Sequence, residues 1–571
     1  MRSLAGGVLV AVLALTACTG TGGTGGPGGG TAQPGGTPAP ASPVSPGPEN
    51  DGIGGLPTQA ELDRARQAAD TLDTRRLAAQ LVVPRRENDA AAAAELTRQV
   101  GFGGAVLFAE HVPSDPAAVV RVVRGANEQI TAAVAADRQW PAFIAVDQEG
   151  GPIERIGAPL TRFPSAMALG AAGDAGLARR VGAASGSELA SLGFTAVLAP
   201  DADVTSGPDD PTIGVRSPGS DAGLVGRIAV GLAEGYADAG LVSTGKHFPG
   251  HGSVSGDTHV GTVRQDAALD ALMARDLLPF RELTAAGAPA VMTAHIVLDA
   301  VDGEEPATLS RPVLTGLLRE RLGFQGLIVT DALEMGAVTK GSGGAGAGEA
   351  AVRAIEAGAD VLLMPSDPRA AVTALSQAVE SGRLSRDRLL DSASRMIATL
   401  WRAADRATVE PVDPGTPSPA HAGLAEELAA ASITQLTGAC GERLIGEGIR
   451  ISGGTETDRA LLRAAARAAG VALDQGTRVT LVGGGSYRAA ENGPAREGGG
   501  VATGARDTDV TIALDVPYPL RNASGVTLAT FGRTPATFTA LVDVLTGERR
   551  AEGALPVAVG SKGVGDGCGP R

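Results

Sequence analysis

The sequence predicts an α/β protein: a (β/α)8 barrel of the TIM type followed by a smaller α/β domain. Three observations predict this fold. Eight short apolar runs alternate with Ala- and Leu-rich segments at helical spacing between residues 57 and 405. Polar residues follow several of these runs, where the strands of a barrel would end. A Pro-rich segment, 406–420, then separates this region from further short apolar runs in 421–571.

The predicted barrel occupies residues 57–405. Its eight strands are Leu81–Val83, Ala105–Phe108, Phe143–Val146, Thr195–Leu198, Ser243–Gly245, Ala290–Thr293, Leu327–Thr330 and Val361–Met364. Helices are predicted between them, among others at Ala117–Ala136, Ala175–Leu192, Asp221–Ala239 and Leu269–Ala286. Eight repeats of strand and helix are typical of a closed parallel barrel.

Polar side chains cluster at the predicted carboxyl ends of these strands. They are Asp147, Asp201, Lys246, His247, His295 and Asp331. Active sites of such barrels are built from the loops at that face, so we expect these residues to surround one pocket.

The region 421–571 predicts the second domain. A helix is expected at Ala422–Ala431 and short strands at Val479–Val482 and Val510–Leu514, with a last run at Gly553–Val557. The turn Gly483–Gly485 resembles a nucleotide-binding loop but lacks the rest of that pattern, so no nucleotide is expected.

The N-terminus predicts export and anchoring. Arg2 precedes an apolar run from Leu4 to Leu15 that is too short to span a bilayer. The sequence Leu15-Thr16-Ala17-Cys18 resembles the lipobox of bacterial lipoproteins, so residues 1–18 read as a signal peptide and Cys18 as the lipidated residue. An ordinary secretory signal is the alternative. We expect an extracytoplasmic protein held to the cell membrane by lipid.

Residues 19–56 predict a disordered tether. Gly, Pro, Thr and Ser dominate this segment, which cannot form a core. A flexible chain of this length spans roughly 35 Å.

Composition limits the partners. The net charge of −15 argues against nucleic acid, because phosphate binding requires a basic face. With Cys18 carrying lipid, Cys440 and Cys568 remain as a pair in an oxidising compartment. They predict a disulfide, with two free thiols as the alternative.

One segment carries most of the chemical information. Lys246-His247-Phe248-Pro249-Gly250-His251-Gly252 is followed by Asp257-Thr258-His259, which places three of the six histidines of the chain close together. Lysine is rarer still, with three in the whole chain. Lys supplies a compact positive charge, and His transfers protons near neutral pH.

This segment resembles the signature of bacterial β-N-acetylglucosaminidases of glycoside hydrolase family 3, over about residues 60–400. The resemblance implies that Lys246 and His247 bind sugar hydroxyls and that Asp257 and His259 form the general acid/base pair. It implies that Asp331, at the end of a strand, is the nucleophile. It also implies that the second domain is an α/β sandwich.

The same resemblance assigns further binding residues. Asp147 and Arg155 match sugar-binding positions, and Arg216 matches another. Pro152 stands where the family usually has a second Arg, which puts the geometry of that loop in doubt. Glu149 is expected to have a structural role, Glu334 to cap or pair on the following helix, and His295 to line the pocket or to be a satisfied rim residue.

The implied activity is retaining hydrolysis of terminal β-linked N-acetylglucosamine from muropeptide or chitin-type fragments, without a cofactor. Phosphorolysis, another exo-β-glycosidase activity, or a solute-binding lipoprotein are the alternatives. A metal site of His247, His251, Asp257 and His259 is disfavoured, because Pro249-Gly250 breaks the helix that such spacing requires.

Overall fold

The computed structural model describes Ile53 and residues 56–136, 138–340, 346–483 and 509–569. The predicted signal peptide with Cys18 and nearly all of the predicted tether lie outside the described residues, as do Gly484 and Gly485 of the glycine turn. Among the described residues, no helix combines the length and apolar composition needed to cross a membrane.

Eight parallel strands form the predicted barrel, which confirms the fold class. They are β1 (Val82–Val83), β2 (Gly104–Leu107), β3 (Phe143–Val146), β4 (Ala196–Val197), β5 (Val242–Phe248), β6 (Ala290–Thr293), β7 (Leu327–Val329) and β8 (Leu362–Leu363). Strands β2 to β7 pair in order, and β8 pairs with β1. The bridges Arg85–Val106 and Val329–Val361 close the ring.

Helices cover the outside of the ring. They are Gln59–Asp70, Thr74–Gln80, Ala90–Val100, Pro116–Val119, Gly125–Ala135, Ala166–Ala172, Ala175–Ser191, Ala222–Asp238, Leu269–Ala274, Leu278–Ala285, Gly336–Thr339, Ala347–Ala357, Pro368–Glu380 and Arg386–Asp405, with π-helical turns at Val120–Arg124 and Pro312–Arg321. Their apolar faces pack on the strands, as amphipathic helices do.

One predicted helix is wrong in detail. Leu269–Ala286 is two helices, because the backbone leaves the helical region at Arg275 (φ −125°, ψ −80°). Pro279 lacks an N–H and therefore lies in the first turn of the second helix, which begins at Leu278, instead of continuing the first.

Short strands above the barrel carry the site loops. Gln148–Gly150 and Ile153–Glu154 form a hairpin directly after β3. Val263–Gln265, Ile296–Leu298 and Asp302–Pro306 form a three-stranded sheet beside β5 and β6. The loop between β5 and this sheet contains Asp257 and His259.

The second domain is built on a six-stranded sheet. Its strands are β9 (Thr434–Thr437), β10 (Gly448–Gly453), β11 (Ala472–Leu473), β12 (Thr477–Val482), β13 (Val510–Ala513) and β14 (Val526–Ala529), in the order β9-β14-β13-β12-β10-β11. Only the β9–β14 pair is antiparallel. Helices Pro419–Ser432, Glu456–Ala468 and Pro535–Thr546 accompany the sheet. The first of these begins inside the segment predicted as linker.

The second domain packs on the barrel through apolar side chains. Leu428, Phe531 and Leu555 belong to the same buried cluster as Leu169 and Val197 of the barrel. The Ser165 hydroxyl donates to the carbonyl of Phe531 at 2.7 Å. Such a contact holds two domains in a fixed relation better than a polar one does.

The disulfide expected between Cys440 and Cys568 is present, with Cα atoms 5.7 Å apart. It joins the loop after β9 to the C-terminal end of the described chain. Because it closes a span of 128 residues, it reduces the conformational freedom of the unfolded second domain.

Candidate active site

A cavity of about 130 Å³ opens at the carboxyl ends of the barrel strands. Its polar lining residues are Arg85, Asp147, Glu149, Arg155, Arg216, Lys246, His247, His259, Asp331 and Glu334, and its apolar lining includes Phe108, Leu198, Met292, Ala332, Met335 and Met364. The structure therefore brings together in one pocket seven of the predicted site residues, and Asp257 reaches it through His259.

Asp331 lies at the end of β7, at the inner side of the pocket. Its Oδ1 accepts the backbone N–H of Ala332 at 2.7 Å. Burial raises the pKa of the Asp331 carboxyl, but the neighbouring His295, His247 and His259 outweigh burial, and the net pKa is below its usual value. This carboxylate is therefore ionised at neutral pH.

His295 does not line the pocket and fits the other alternative, a satisfied histidine at the rim. The side chain is fully buried. Its Nε2 lies 2.9 Å from the carbonyl oxygen of Ala332, and its Nδ1 lies 2.8 Å from the Thr308 hydroxyl. Because a carbonyl only accepts, Nε2 carries the proton. His295 holds the backbone next to Asp331 and has no nitrogen left for a ligand.

Asp257 and His259 form a hydrogen-bonded pair on the loop after β5. His259 Nδ1 lies 2.7 Å from Asp257 Oδ1, and the same oxygen accepts the His259 backbone N–H at 2.9 Å. Burial lowers the pKa of the imidazole, but Asp257 and the charge of Asp331 raise it by a larger amount. The net pKa therefore lies above 6.5. Asp257 fixes Nδ1 as a donor, which leaves Nε2 for proton transfer.

Lys246 lies in the opposite wall, between two carboxylates. Its Nζ is 2.6 Å from Asp147 Oδ1 and 2.6 Å from Glu149 Oε1, and its side chain is 2% exposed. Burial lowers its pKa, but these two carboxylates raise the net pKa above its usual value. Lys246 is thus a permanent positive charge beside the cavity.

Glu149 also binds Arg216. The Nε and Nη2 atoms of Arg216 donate to the two carboxylate oxygens at 2.8 Å each, a bidentate pair. Burial raises the pKa of Glu149, but Arg216 and Lys246 lower it by a larger amount. The net pKa therefore lies below its usual value. Arg155 approaches Asp147 Oδ2 at 3.9 Å from the hairpin after β3. Both predicted arginines reach the pocket although Pro152 replaces the family's usual Arg.

His247 is held by Asp203, which the sequence interpretation missed. His247 Nδ1 lies 2.7 Å from Asp203 Oδ2, and Asp203 also accepts the backbone N–H groups of His247 and His251. Burial and the charge of Arg216 lower the pKa of His247 to about 4. The neutral ring donates through Nδ1, so Nε2 is an acceptor, and it lies 3.4 Å from Arg216 Nη2.

The residues considered as metal ligands do not converge. His247 pairs with Asp203, His259 with Asp257, and His251 Nε2 lies 3.3 Å from the Thr258 hydroxyl. A different group, Asp201, Asp203 and His247, has its ligand atoms within 4.8 Å of one another.

The surroundings of this second group disfavour a metal ion. Arg216 Nη2 lies 3.6 Å from Asp201 Oδ2, where it would repel a cation. Burial and the charge of Asp203 raise the pKa of Asp201 well above its usual value. A carboxyl group with a raised pKa beside an Arg is a poor metal ligand, because a ligand must be deprotonated.

Arg85 and Glu334 form an ion pair at the pocket mouth that the sequence interpretation also missed. Arg85 Nη2 lies 2.5 Å from Glu334 Oε1, Nη1 lies 2.8 Å from Glu110, and the guanidinium stacks 3.8 Å above the Phe108 ring. Glu334 pairs across the pocket with β1 and does not cap the following helix. The position of Arg85 could have predicted its place at the pocket, because Arg85 follows β1 as Asp147 follows β3.

The pocket thus combines an ionised carboxylate, a protonatable imidazole on a separate loop, and a charged wall suited to hydroxyl groups. These are the parts of a barrel hydrolase acting on carbohydrate. Residues 73–399 match the glycosyl hydrolase family 3 N-terminal domain. The chain belongs to glycosyl hydrolase family 3.

Proteins similar to this chain are named as β-hexosaminidases or β-N-acetylglucosaminidases. Beta-hexosaminidase A of Pseudoalteromonas piscicida is 35% identical over 60% of each chain. A beta-hexosaminidase of Alkalilimnicola ehrlichii is 34% identical over 54% of this chain and 86% of its own length. The family 3 β-N-acetylglucosaminidase of Paenibacillus sp. FPU-7 superposes with a TM-score of 0.74 at 31% identity, covering 85% of this chain and 98% of its own. The chain spans about 60% of the length of the Pseudoalteromonas protein.

We expect the Lys246→Arg variant to lose activity nearly as fully as Lys246→Ala. The planar guanidinium is larger than the ammonium that fits between Asp147 and Glu149, so the charge is kept but the contacts are lost. A lost hydrogen bond from a charged donor costs about 1.5–3 kcal/mol, roughly a 10- to 150-fold decrease in kcat/KM. Lys340→Arg, at an exposed position, is the control. Near-normal kcat/KM in Lys246→Arg would show that charge alone matters there.

Proposed function

We propose that this protein is a retaining exo-β-N-acetylglucosaminidase that removes terminal β-linked N-acetylglucosamine. The observation that carries the proposal is the presence in one pocket of the Asp331 carboxylate and the Asp257–His259 pair. The names of the relatives support N-acetylglucosamine over glucose as the sugar.

In the first step, Asp331 attacks the anomeric carbon of the bound sugar. Protonated His259 transfers its Nε2 proton to the glycosidic oxygen, the bond to the leaving group breaks, and a glycosyl ester forms on Asp331. Asp257 stabilises the imidazolium and fixes its orientation, as an Asp does in hydrolytic triads. In the second step, neutral His259 removes a proton from water, which attacks the ester and releases the sugar with retained configuration.

The two pKa shifts suit these roles. The lowered pKa of Asp331 keeps the nucleophile ionised, and the raised pKa of His259 keeps the acid protonated at higher pH. We expect kcat/KM to fall as the pH drops through the pKa of Asp331 and as it rises through that of His259, above 6.5.

The opposite wall binds the hydroxyl groups of the sugar. Lys246 and Arg216 provide donors and Asp147 provides acceptors, while neutral His247 contributes Nε2, an acceptor that also lies 3.4 Å from Arg216 Nη2. A small cavity closed by these side chains suits a single terminal unit, which is why we propose exo-action. Muropeptide or chitin-type fragments are the proposed substrates.

We also propose that the protein acts outside the cytoplasm, attached to the cell membrane through Cys18. The Cys440–Cys568 disulfide supports an oxidising compartment. Ile53 is buried at the amino-terminal end of the barrel, where its N–H donates to the carbonyl of Ala286 at 2.7 Å. Ile53 therefore lies at the face of the barrel opposite the pocket.

The Asp331→Asn variant tests the nucleophile. It should fold normally and lose turnover of a chromogenic N-acetylglucosaminide by several orders of magnitude, because an amide cannot form the ester. A 2-fluoro sugar inactivator should add its mass to the peptide containing Asp331 in the wild type. Since Asp331 and Glu334 are close in sequence, fragmentation must separate them, and Glu334→Gln should still be labelled. Labelling of Glu334 or Glu149 would contradict the assignment.

Product analysis with and without phosphate distinguishes hydrolysis from phosphorolysis.

The Cys18→Ser variant tests location. Expressed in a bacterium with a lipoprotein pathway, the wild type should carry a lipid mass on Cys18 and partition into detergent. Cys18→Ser should lose both properties, while Cys440→Ser keeps them. A wild-type protein found entirely in the cytoplasm without lipid would contradict this proposal.

A further inference from the structure

The loop that carries Asp257 and His259 is held by contacts from two other loops of the barrel. Its backbone carbonyls accept hydrogen bonds along one edge. The N–H of Gly336 donates to the carbonyl of His259 at 3.2 Å, and the N–H of Ala337 donates to that of Thr258 at 3.3 Å. Gly336 lies five residues after Asp331. The segment that supplies the nucleophile therefore also supports the segment that supplies the acid.

Gly336 permits this contact because it has no side chain. A Cβ at this position would lie 2.7 Å from the carbonyl oxygen of Val260 and 2.8 Å from that of His259, closer than real Cβ contacts. Its φ is not in the left-handed region, so the backbone conformation does not itself require glycine. An added methyl group would displace the His259 loop without straining residue 336.

A second contact comes from the loop after β4. The Thr212 hydroxyl donates to the carbonyl of Gly256 at 3.1 Å, directly before Asp257. Asp210 holds Thr212 in place by accepting the N–H groups of Thr212, Ile213 and Gly214 at 2.8–3.1 Å. The same loop carries Arg216, which binds Glu149 in the opposite wall.

We propose that Gly336 and Thr212 are positioning residues that hold the Asp257–His259 pair over Asp331. This inference rests on the proposed function. Both residues act on the carbonyls that flank the pair, one from the nucleophile side and one from the sugar-binding side. A displacement of about 1 Å at the reacting groups lowers turnover by up to about 100-fold. The effect should fall on proton donation, and not on the attack by Asp331.

The test compares substrates with good and poor leaving groups. In Gly336→Ala we expect kcat/KM to fall roughly 10- to 100-fold for N-acetylglucosaminyl disaccharides and only a few-fold for a dinitrophenyl glycoside, which needs no proton. Gly316→Ala is the matched control, because no atom lies within 4 Å of a Cβ added there. In the background of His259→Ala, adding Gly336→Ala should cause no further loss on the disaccharide, because both changes remove the same step.

Thr212→Val gives an independent readout if Gly336→Ala does not fold. It removes the hydroxyl with little change of volume and should lower kcat/KM on the disaccharide roughly 2- to 10-fold, with little change on the dinitrophenyl glycoside. Thr373→Val is its control, since the Thr373 hydroxyl bonds only its own exposed helix.

Equal losses on both substrates, near-wild-type activity, or full additivity with His259→Ala would overturn the positioning role. The proposed function has a separate failure, in which the wild type itself releases no N-acetylglucosamine and the inference falls with it. A wild type that is active and variants without leaving-group selectivity would reject the inference alone.

Discussion

The buried carboxylate of Glu149 is the group on which the rest of the site depends. It binds Arg216 from the loop after β4 and Lys246 from β5, while standing itself on the hairpin after β3. Three loops of the barrel are thus joined by one side chain that is 3% exposed. Removing one partner of such a buried pair costs about 3–5 kcal/mol, because the remaining charge is left unpaired. Without Glu149 the two cations would repel each other, and the wall proposed to bind the sugar would be destabilised.

The carboxylates of Glu149 and Glu334 are paired with cations, which distinguishes them from the groups proposed to carry out the reaction. Glu149 is neutralised by two cations and cannot serve as an acid, since its pKa is far below neutral pH. Glu334 is paired with Arg85 at the mouth. In the proposed mechanism, proton transfer is left to His259, whose pKa is raised by Asp257 and by Asp331. The charge of the proposed nucleophile therefore raises the pKa of the proposed acid catalyst.

The sequence predicted the barrel and most of the pocket because both follow from local patterns. Apolar runs mark strands, and a polar residue just after a run falls on the rim, as Asp147, Lys246 and Asp331 do. What it missed depends on contacts between distant segments. The Arg85–Glu334 pair joins residues 249 positions apart, and Asp203 reaches His247 across 44. His295 satisfied the rim rule but turned its ring toward Thr308 and Ala332, which no local pattern reveals.

We propose that an imidazole, and no carboxylate, donates the proton. A series of aryl N-acetylglucosaminides with increasing leaving-group pKa tests it directly, by comparing the slope of log kcat/KM for wild type, His259→Ala and Glu149→Gln. We expect His259→Ala to show a much steeper slope and to lose the alkaline limb that the wild type shows above pH 6.5. We expect Glu149→Gln to show a uniform decrease at unchanged slope. A steep slope for Glu149→Gln together with a wild-type slope for His259→Ala would contradict it.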